Sequence, residues 1–387
     1  MHAETTPHAN PVSHILCVIL IILAALSACQ VQPANQSAGS SAEPTLELPN
    51  LHFTDQPNPT STVAAGSSPE KPITTPSANS PDPQPSETTA PNPNPDLRLT
   101  LMAVGDMMLG RTIADLIESE GHTAPFIHTA QTLRSADITV GNLECPISTQ
   151  GESEPKPYAF RAPPAAADAL AFAGFSLVNL ANNHILDYGS LALEDTLENL
   201  SARQIQTVGA GMHAAEAYAP AFIEVEGLQI AFLGFVDVHP TDYDYRKWEA
   251  GLDQPGVAWA HEDQVRAGVT AAKAQADIVI VLIHNGYEII EQISSQQQKI
   301  AHLAIDSGAS LVIGSHPHVL QRIERYQEGL IAYSMGNFVF DNFLFPPNYS
   351  AILSVELSPK GVESYALIDV VVGLNGVPQI MPYRIEE

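Results

Sequence analysis

Residues 311–319 read LVIGSHPHV: an apolar run, a glycine, and then two histidines two positions apart. An unbroken apolar run of this kind suits a strand buried on both faces, as in a parallel sheet. Polar residues directly after such a strand sit where open α/β sheets display their chemistry, at the carboxyl ends of strands. In an extended segment, side chains two positions apart share a side. His316 and His318 are therefore expected to reach one metal ion or two adjacent ones.

The same pattern recurs outward from this stretch. Strands are expected at 99–104, 138–140, 176–180, 206–208, 277–283 and 310–313, and helices at 111–119, 164–173, 191–203, 262–275 and 294–307. A β-hairpin is expected over 222–235, with Glu226-Gly227 at its middle. The end of the chain is strand-rich, at 319–326, 330–334, 352–357 and 365–372. Alternating β and α units that finish in hairpins predict a layered α/β domain with a mixed sheet or two packed sheets.

Polar residues collect where these strands end. They are Asp106, Asn142 with Glu144, Asn182-Asn183-His184 with Asp187, His284, the 316/318 pair, and Asn337. Asp, Glu, Asn and His together make an oxygen–nitrogen donor set suited to a divalent ion such as Zn, Mn, Fe or Mg, and no thiolate set is visible. Cys145 reads as a small buried hydrophobe, and Asn337 as an amide that holds a turn and shapes the site.

Composition narrows the function. Across 387 residues, 43 Asp+Glu stand against 16 Lys+Arg, a formal net charge of −27. Nucleic-acid binding needs a basic footprint to displace counterions, so that class is excluded. The 45% hydrophobic content supports a buried core. An anionic substrate is repelled at long range by such a chain, so local positive charge must attract it.

Residues 15–28, ILCVILIILAALSA, form an apolar stretch shorter than the roughly 18–20 residues that span a bilayer. It runs into Leu26-Ser27-Ala28-Cys29, which resembles a bacterial lipobox, with Cys29 the residue lipidated after cleavage at 1–29. The region before Ile15 carries no Lys or Arg, and the other reading is an uncleaved N-terminal anchor. Either way the rest of the chain is expected outside the cytoplasm, held at the cell membrane. Fourteen of the 31 prolines fall within 33–95. The stretch 30–97 lacks hydrophobic periodicity and is expected to be a disordered linker, acting as a spacer or as neutral filler.

Seven segments in order resemble the CapA family: VGDMMLGR (104–111), VGNLECPIS (140–148), NLANNHILDYG (179–189), GAG (209–211), VLIHNGYE (281–288), GSHPHVLQ (314–321) and YSMGNFVFD (333–341). That family comprises capsule-synthesis proteins linked to poly-γ-glutamate, with a metallophosphatase-like fold. The resemblance spans nearly all of 98–387. It implies a four-layer α/β/β/α sandwich with a metal centre at the sheet edge. By the same resemblance the metal ligands are Asp106, Glu144, Asn183, His284, His316 and His318. His184 is the general acid, with Asp187 holding its tautomer, while Asn142, Arg111 and Asn337 bind substrate or shape the site. Two positions depart from the pattern. Met108 stands where the wider superfamily has a ligand histidine, and Asn285 stands where an aromatic usually follows His284.

The resulting expectation is a metal-dependent hydrolase of the cell envelope, acting on a phosphoester or on a γ-glutamyl amide. The alternatives are a non-catalytic capsule assembly or export factor and an unrelated extracytoplasmic binding protein. Expected partners are the membrane, other capsule synthesis or export proteins, and an anionic polymer. Cys29→Ser should abolish incorporation of labelled fatty acid and release the chain from membranes. Unchanged membrane retention would indicate the uncleaved anchor instead.

Overall fold

The computed structural model describes residues 94–238, 243–341 and 348–381. Cys29, the leader around it and nearly all of the expected linker lie outside the described residues. No helix among the described residues is long and apolar enough to cross a membrane.

The fold is mixed α/β. Its first half carries strands β1 (Leu99–Met107), β2 (Ile138–Leu143), β3 (Leu177–Asn179) and β4 (Gln206–Val208), interleaved with helices α1 (Arg111–Glu120), α2 (Ala130–Leu133), α3 (Ala165–Ala173) and α4 (Gly189–Ser201). The short strand β5 (Ala210–Gly211), helix α5 (Ala214–Ala217) and the hairpin of β6 (Ala221–Val225) and β7 (Leu228–Val238) follow. Next come β8 (Gly256–Val257), α6 (Glu262–Lys273), β9 (Ile278–Gly286), α7 (Ser295–Asp306) and β10 (Leu311–Ser315). The chain closes with β11 (Ile323–Tyr326), β12 (Gly329–Ala332), β13 (Asn337–Val339), β14 (Tyr349–Ser358), β15 (Gly361–Val372) and β16 (Pro378–Ile380).

Two main sheets result. One has the order β16-β15-β14-β1-β2-β3-β4, with β13 paired to β1; the other runs β11-β12-β10-β9-β7-β6. The β1-β2-β3-β4 run is parallel, as are β7-β9-β10-β12, whereas the hairpin strands are antiparallel. Alternation along each strand sorts side chains between hydrophobic clusters. Leu99, Leu101 and Ala103 of β1 join Ile278, Ile280 and Leu282 of β9 in one cluster. Met102 and Val104 face Ile113, Leu170 and Leu193 of the first helices. Val279, Val281 and Ile283 face Val265, Val269 and Ile300 of α6 and α7. Both central strands are therefore buried on both faces, which is why their sequences read as continuous apolar runs.

Local chemistry explains the boundaries that matched expectation. The hairpin turns at Glu226 and Gly227 with φ of 50° and 83°, the two successive positive values that a tight type I′ turn demands. Ser294 caps α7 with a complete capping box, its hydroxyl accepting from Gln297 N–H while the Gln297 side chain returns to the Ser294 N–H. One expectation fails. The strand expected from 319 starts at Ile323, because the chain after β10 bends instead of continuing extended.

The first sheet also tolerates no side chain where it meets the 334–337 loop. A Cβ on Gly105 would lie 1.8 Å from the Gly336 carbonyl oxygen, the atom that accepts the Asp106 N–H at 2.9 Å. Gly105→Ala should cost about 1–3 kcal/mol or more by overpacking, since backbone rather than a flexible side chain must move. Chemical denaturation of the two proteins checks this.

Candidate metal centre

Parallel strands from both sheets end at one place, and each delivers a polar side chain there. Asp106 arrives on β1, beside Asn337 of β13 in register. Its Oδ1 accepts from Asn142 Nδ2 at 2.8 Å, and its Oδ2 accepts from the His316 backbone N–H at 3.1 Å. Asn142, on β2, is saturated: Nδ2 also reaches His284 Nδ1 at 3.1 Å, while Oδ1 accepts from Asn179 at 3.1 Å and Asn182 at 3.2 Å. Asn142 organises its neighbours and has no lone pair left for a ligand. Asn182 Oδ1 in turn accepts from the His184 and Ile185 N–H groups, which sets the turn that presents Asn183 and His184.

Glu144 follows β2 and is fully buried, yet neither carboxylate oxygen accepts a hydrogen bond. Around its Oε1 stand three imidazole Nε2 atoms, from His318 at 3.8 Å, His284 at 3.9 Å and His184 at 4.0 Å. Two of these rings are aimed by an outer partner: His318 Nδ1 meets Asn337 Oδ1 at 2.8 Å, and His184 Nδ1 meets Asp187 Oδ2 at 2.8 Å. Handing the Nδ1 proton outward leaves Nε2 to face inward, the usual support of a metal-binding histidine. His284 is oriented the other way, with Nδ1 against Ser315 Oγ at 3.0 Å and Nε2 against Asn183 Oδ1 at 2.8 Å.

His316 and His318 do reach this place, but not along an extended strand. β10 stops at Ser315, and both histidines take positive φ, 96° and 58°, on either side of Pro317. The bend lets the His316 N–H reach Asp106, and Pro317 has no N–H to continue a ladder. Non-glycine residues held in this region cost about 1–3 kcal/mol each and persist where surrounding contacts over-determine them.

Burial drives the electrostatics. It pushes Glu144 well above the ordinary carboxylate range, and the Asp106 carboxylate adds to the push. Burial acts on Asp106 in the same sense, but the His318 contact and the charges of His284 and His318 outweigh it and hold that carboxyl well below its range. Burial also lowers His184 to about 4 and His284 to about 3, and takes His316 well below its ordinary value. His318 moves up, because contact with Asp106 overcomes its burial. Burial thus disfavours charge on Glu144 and on the His184, His284 and His316 rings, a set of donors whose charge a divalent ion can balance. Donor atoms of Asp106, Glu144 and His318 all lie within 4.8 Å of one another, as do those of Glu288, His316 and His318. These residues fit a divalent cation.

A second arrangement holds His184. Lys156, 1% exposed at its side chain, pairs with Asp187 Oδ1 at 2.5 Å and donates to the Asn183 carbonyl at 2.7 Å. Its ammonium lies 4.8 Å from the Tyr245 ring centre and 5.1 Å from that of Trp248. Asp187 Oδ2 takes the Phe160 N–H at 2.6 Å, and the Phe160 ring stacks on His184 with centroids 4.2 Å apart. Arg111 stands outside the donor set. Its guanidinium lies 4.5 Å from the Phe160 ring centre and pairs with Asp341. Two cavities adjoin His184, of about 300 Å³ and about 400 Å³, and Tyr158 and Glu288 line both.

The structure therefore brings Asp106, Asn142, Glu144, Asn183, His184, Asp187, His284, His316, His318 and Asn337 into one contact network and leaves Arg111 on a cavity wall. Met108 points elsewhere. It is fully buried in the helical-side cluster, and its sulfur accepts from the Gly110 N–H at 3.2 Å. Cys145 is buried too, its sulfur accepting from the Leu109 N–H and its pKa pushed up to about 12 by burial, so it is an inert thiol. Sequence reasoning missed Lys156, Phe160, Asn179, Ser315 and Asp341. Asp341 at least closes a stretch that resembles the family, whereas Lys156 sits in an aperiodic loop that gives no signal.

Fold and site together define a mixed α/β protein with a carboxylate–imidazole centre at the strand ends. The profile described as "Bacterial capsule synthesis protein PGA_cap" matches residues 100–342, and the chain belongs to that family. The capsule biosynthesis protein CapA of Bacillus anthracis is 32% identical over 282 residues, covering 71% of this chain and 67% of its own. The PGA biosynthesis protein CapA of Bacillus subtilis (strain 168) is 33% identical over 266 residues, 68% of this chain and 69% of its own. A probable polyglutamine synthesis accessory protein of Mycobacterium tuberculosis is 33% identical over 215 residues, 54% of this chain and 56% of its own.

Lys156→Met should destabilise the protein by about 3–5 kcal/mol, because it strands the buried Asp187 charge. Lys156→Met with Asp187→Asn should recover much of that loss. Urea unfolding of the single and double variants measures the difference.

Proposed function

We propose that this protein is an accessory factor of capsule or poly-γ-glutamate synthesis that carries a metal-dependent, hydrolase-type centre. The observation that carries this reading is Glu144, a buried carboxylate without a hydrogen bond, faced by three imidazole nitrogens. Asp106, Glu144, Asn183, His284, His316 and His318 would hold the ion, which is Mn, Zn, Fe or Mg by donor type. When bound, such an ion polarises a phosphoryl or acyl oxygen and activates water. The likeness to CapA proteins of capsule and PGA biosynthesis supports the capsule assignment. The three hydrophobic clusters support reading the layers as a four-layer α/β/β/α sandwich.

The chain's own residues supply the rest of the chemistry. His184 opens on both cavities, and Asp187 and Phe160 fix its ring. Held so, with Nδ1–H turned to Asp187, neutral Nε2 can take the proton that the attacking water releases and hand it to the leaving atom of a phosphoester or of a γ-glutamyl amide. Arg111 presents a guanidinium on the wall of the larger cavity, where an anionic part of the substrate can be met. In this reading the domain works outside the cytoplasm, tethered through a lipidated Cys29 and the 30–97 spacer, with other capsule synthesis or export proteins and an anionic polymer as partners. The burial of Met108, away from the donors, favours a second reading in which the fold serves as a non-catalytic assembly or export factor.

The test uses the full chain loaded with Mn²⁺ or Zn²⁺, assayed on a phosphodiester and on a γ-glutamyl amide. His184→Asn should keep metal content and melting temperature but lower turnover by about 10²–10⁴-fold, the usual contribution of a positioned acid. Wild-type turnover in that variant would remove His184 from the chemistry. Absence of hydrolysis in the loaded wild type on both substrates would leave the assembly factor as the function.

A further inference from the structure

Glu288 lies beyond the donor set taken from the strand ends. It follows β9 by two residues, on a loop pinned to the His-Pro-His bend by a hydrogen bond from the Ile289 N–H to the Pro317 carbonyl at 2.8 Å. Ile289 takes a φ of 62°, so this pinning is held against local backbone preference. The result places a Glu288 carboxylate oxygen within 4.8 Å of donor nitrogens on both His316 and His318. Glu288 is exposed and also borders both cavities beside His184, so it stands at the mouth of the site.

Negative charge is concentrated at this place. Asp106, Glu144, Asp187 and Asp341 already line or underlie the region, against Lys156 and Arg111, each of which has its own carboxylate partner. A further carboxylate beside them is favoured by a cation placed between it and the two rings. Glu288, His316 and His318 form one close donor group and Asp106, Glu144 and His318 another, so His318 joins Glu288 to the buried donors.

We propose that Glu288 is a ligand of the metal centre, its carboxylate joining His316 and His318 on a divalent cation. The proposal rests on the metal reading above and adds a residue to it. The role is that of a hard, charged donor at the mouth of the site, where the buried donors form its floor.

The test is metal binding by the full chain, with no substrate present. Mn²⁺ is titrated in competition with a fluorescent chelator, and Co²⁺-loaded protein is read by its visible absorption. E288Q should weaken Mn²⁺ binding at least tenfold and alter the Co²⁺ bands, while E288D recovers part of the affinity. Melting of the metal-free protein should be unchanged, because Glu288 is exposed. Wild-type affinity in E288Q would overturn the proposal and leave the centre intact. Weakened binding with an unchanged Co²⁺ spectrum would make the effect long-range attraction and overturn the ligand role as well. Failure of the wild-type protein to bind either ion would overturn both this proposal and the centre beneath it.

Discussion

A carboxylate in the protein interior with no donor to satisfy it is costly, and Glu144 is in that position. The surroundings do not relieve it. They hold two rings, His184 and His318, with their outer nitrogens tied to Asp187 and Asn337, and they use Asn142 to bridge Asp106 and His284. The glycines at 105 and 336 allow two backbone segments to close on one another so that Asp106 and Asn337 can be neighbours. Together these groups hold the donors assigned above to the proposed cation.

The flank of the site is satisfied in the opposite manner. Lys156 and Asp187 form a closed pair with Asn183, Phe160 and His184 completing their contacts, so that no charge there is left over. A buried ion pair of this kind contributes little net stability against apolar residues of equal volume. Its value here is positional: it keeps the His184 ring at one angle beside two open cavities. The unpartnered Glu144 carboxyl and this closed pair both face His184, one at Nε2 and the other at Nδ1.

The sequence made the strand ends legible because both central strands are buried on two faces and so read as apolar runs punctuated by polar residues. The hairpin turn was legible because Glu226-Gly227 carries its own conformational preference. What could not be read was decided at long range. The bend through His316 and His318 depends on a hydrogen bond to Asp106, 210 positions earlier, and nothing in GSHPHV alone announces it. Lys156 lies in a loop without period, and its importance comes from aromatic rings and a carboxylate contributed by other segments. Short pieces such as β5, β8 and β16 have two or three residues each and too little pattern to be seen.

Asp106 lies near the start of the folded part and Asn337 near its end, yet they are register partners on adjacent strands. No partial chain can hold the donor set, because its floor and its last wall come from opposite ends of the domain. A cation bound as proposed above would be captured only once the sheet has closed, so the ions at hand where folding finishes would select the metal.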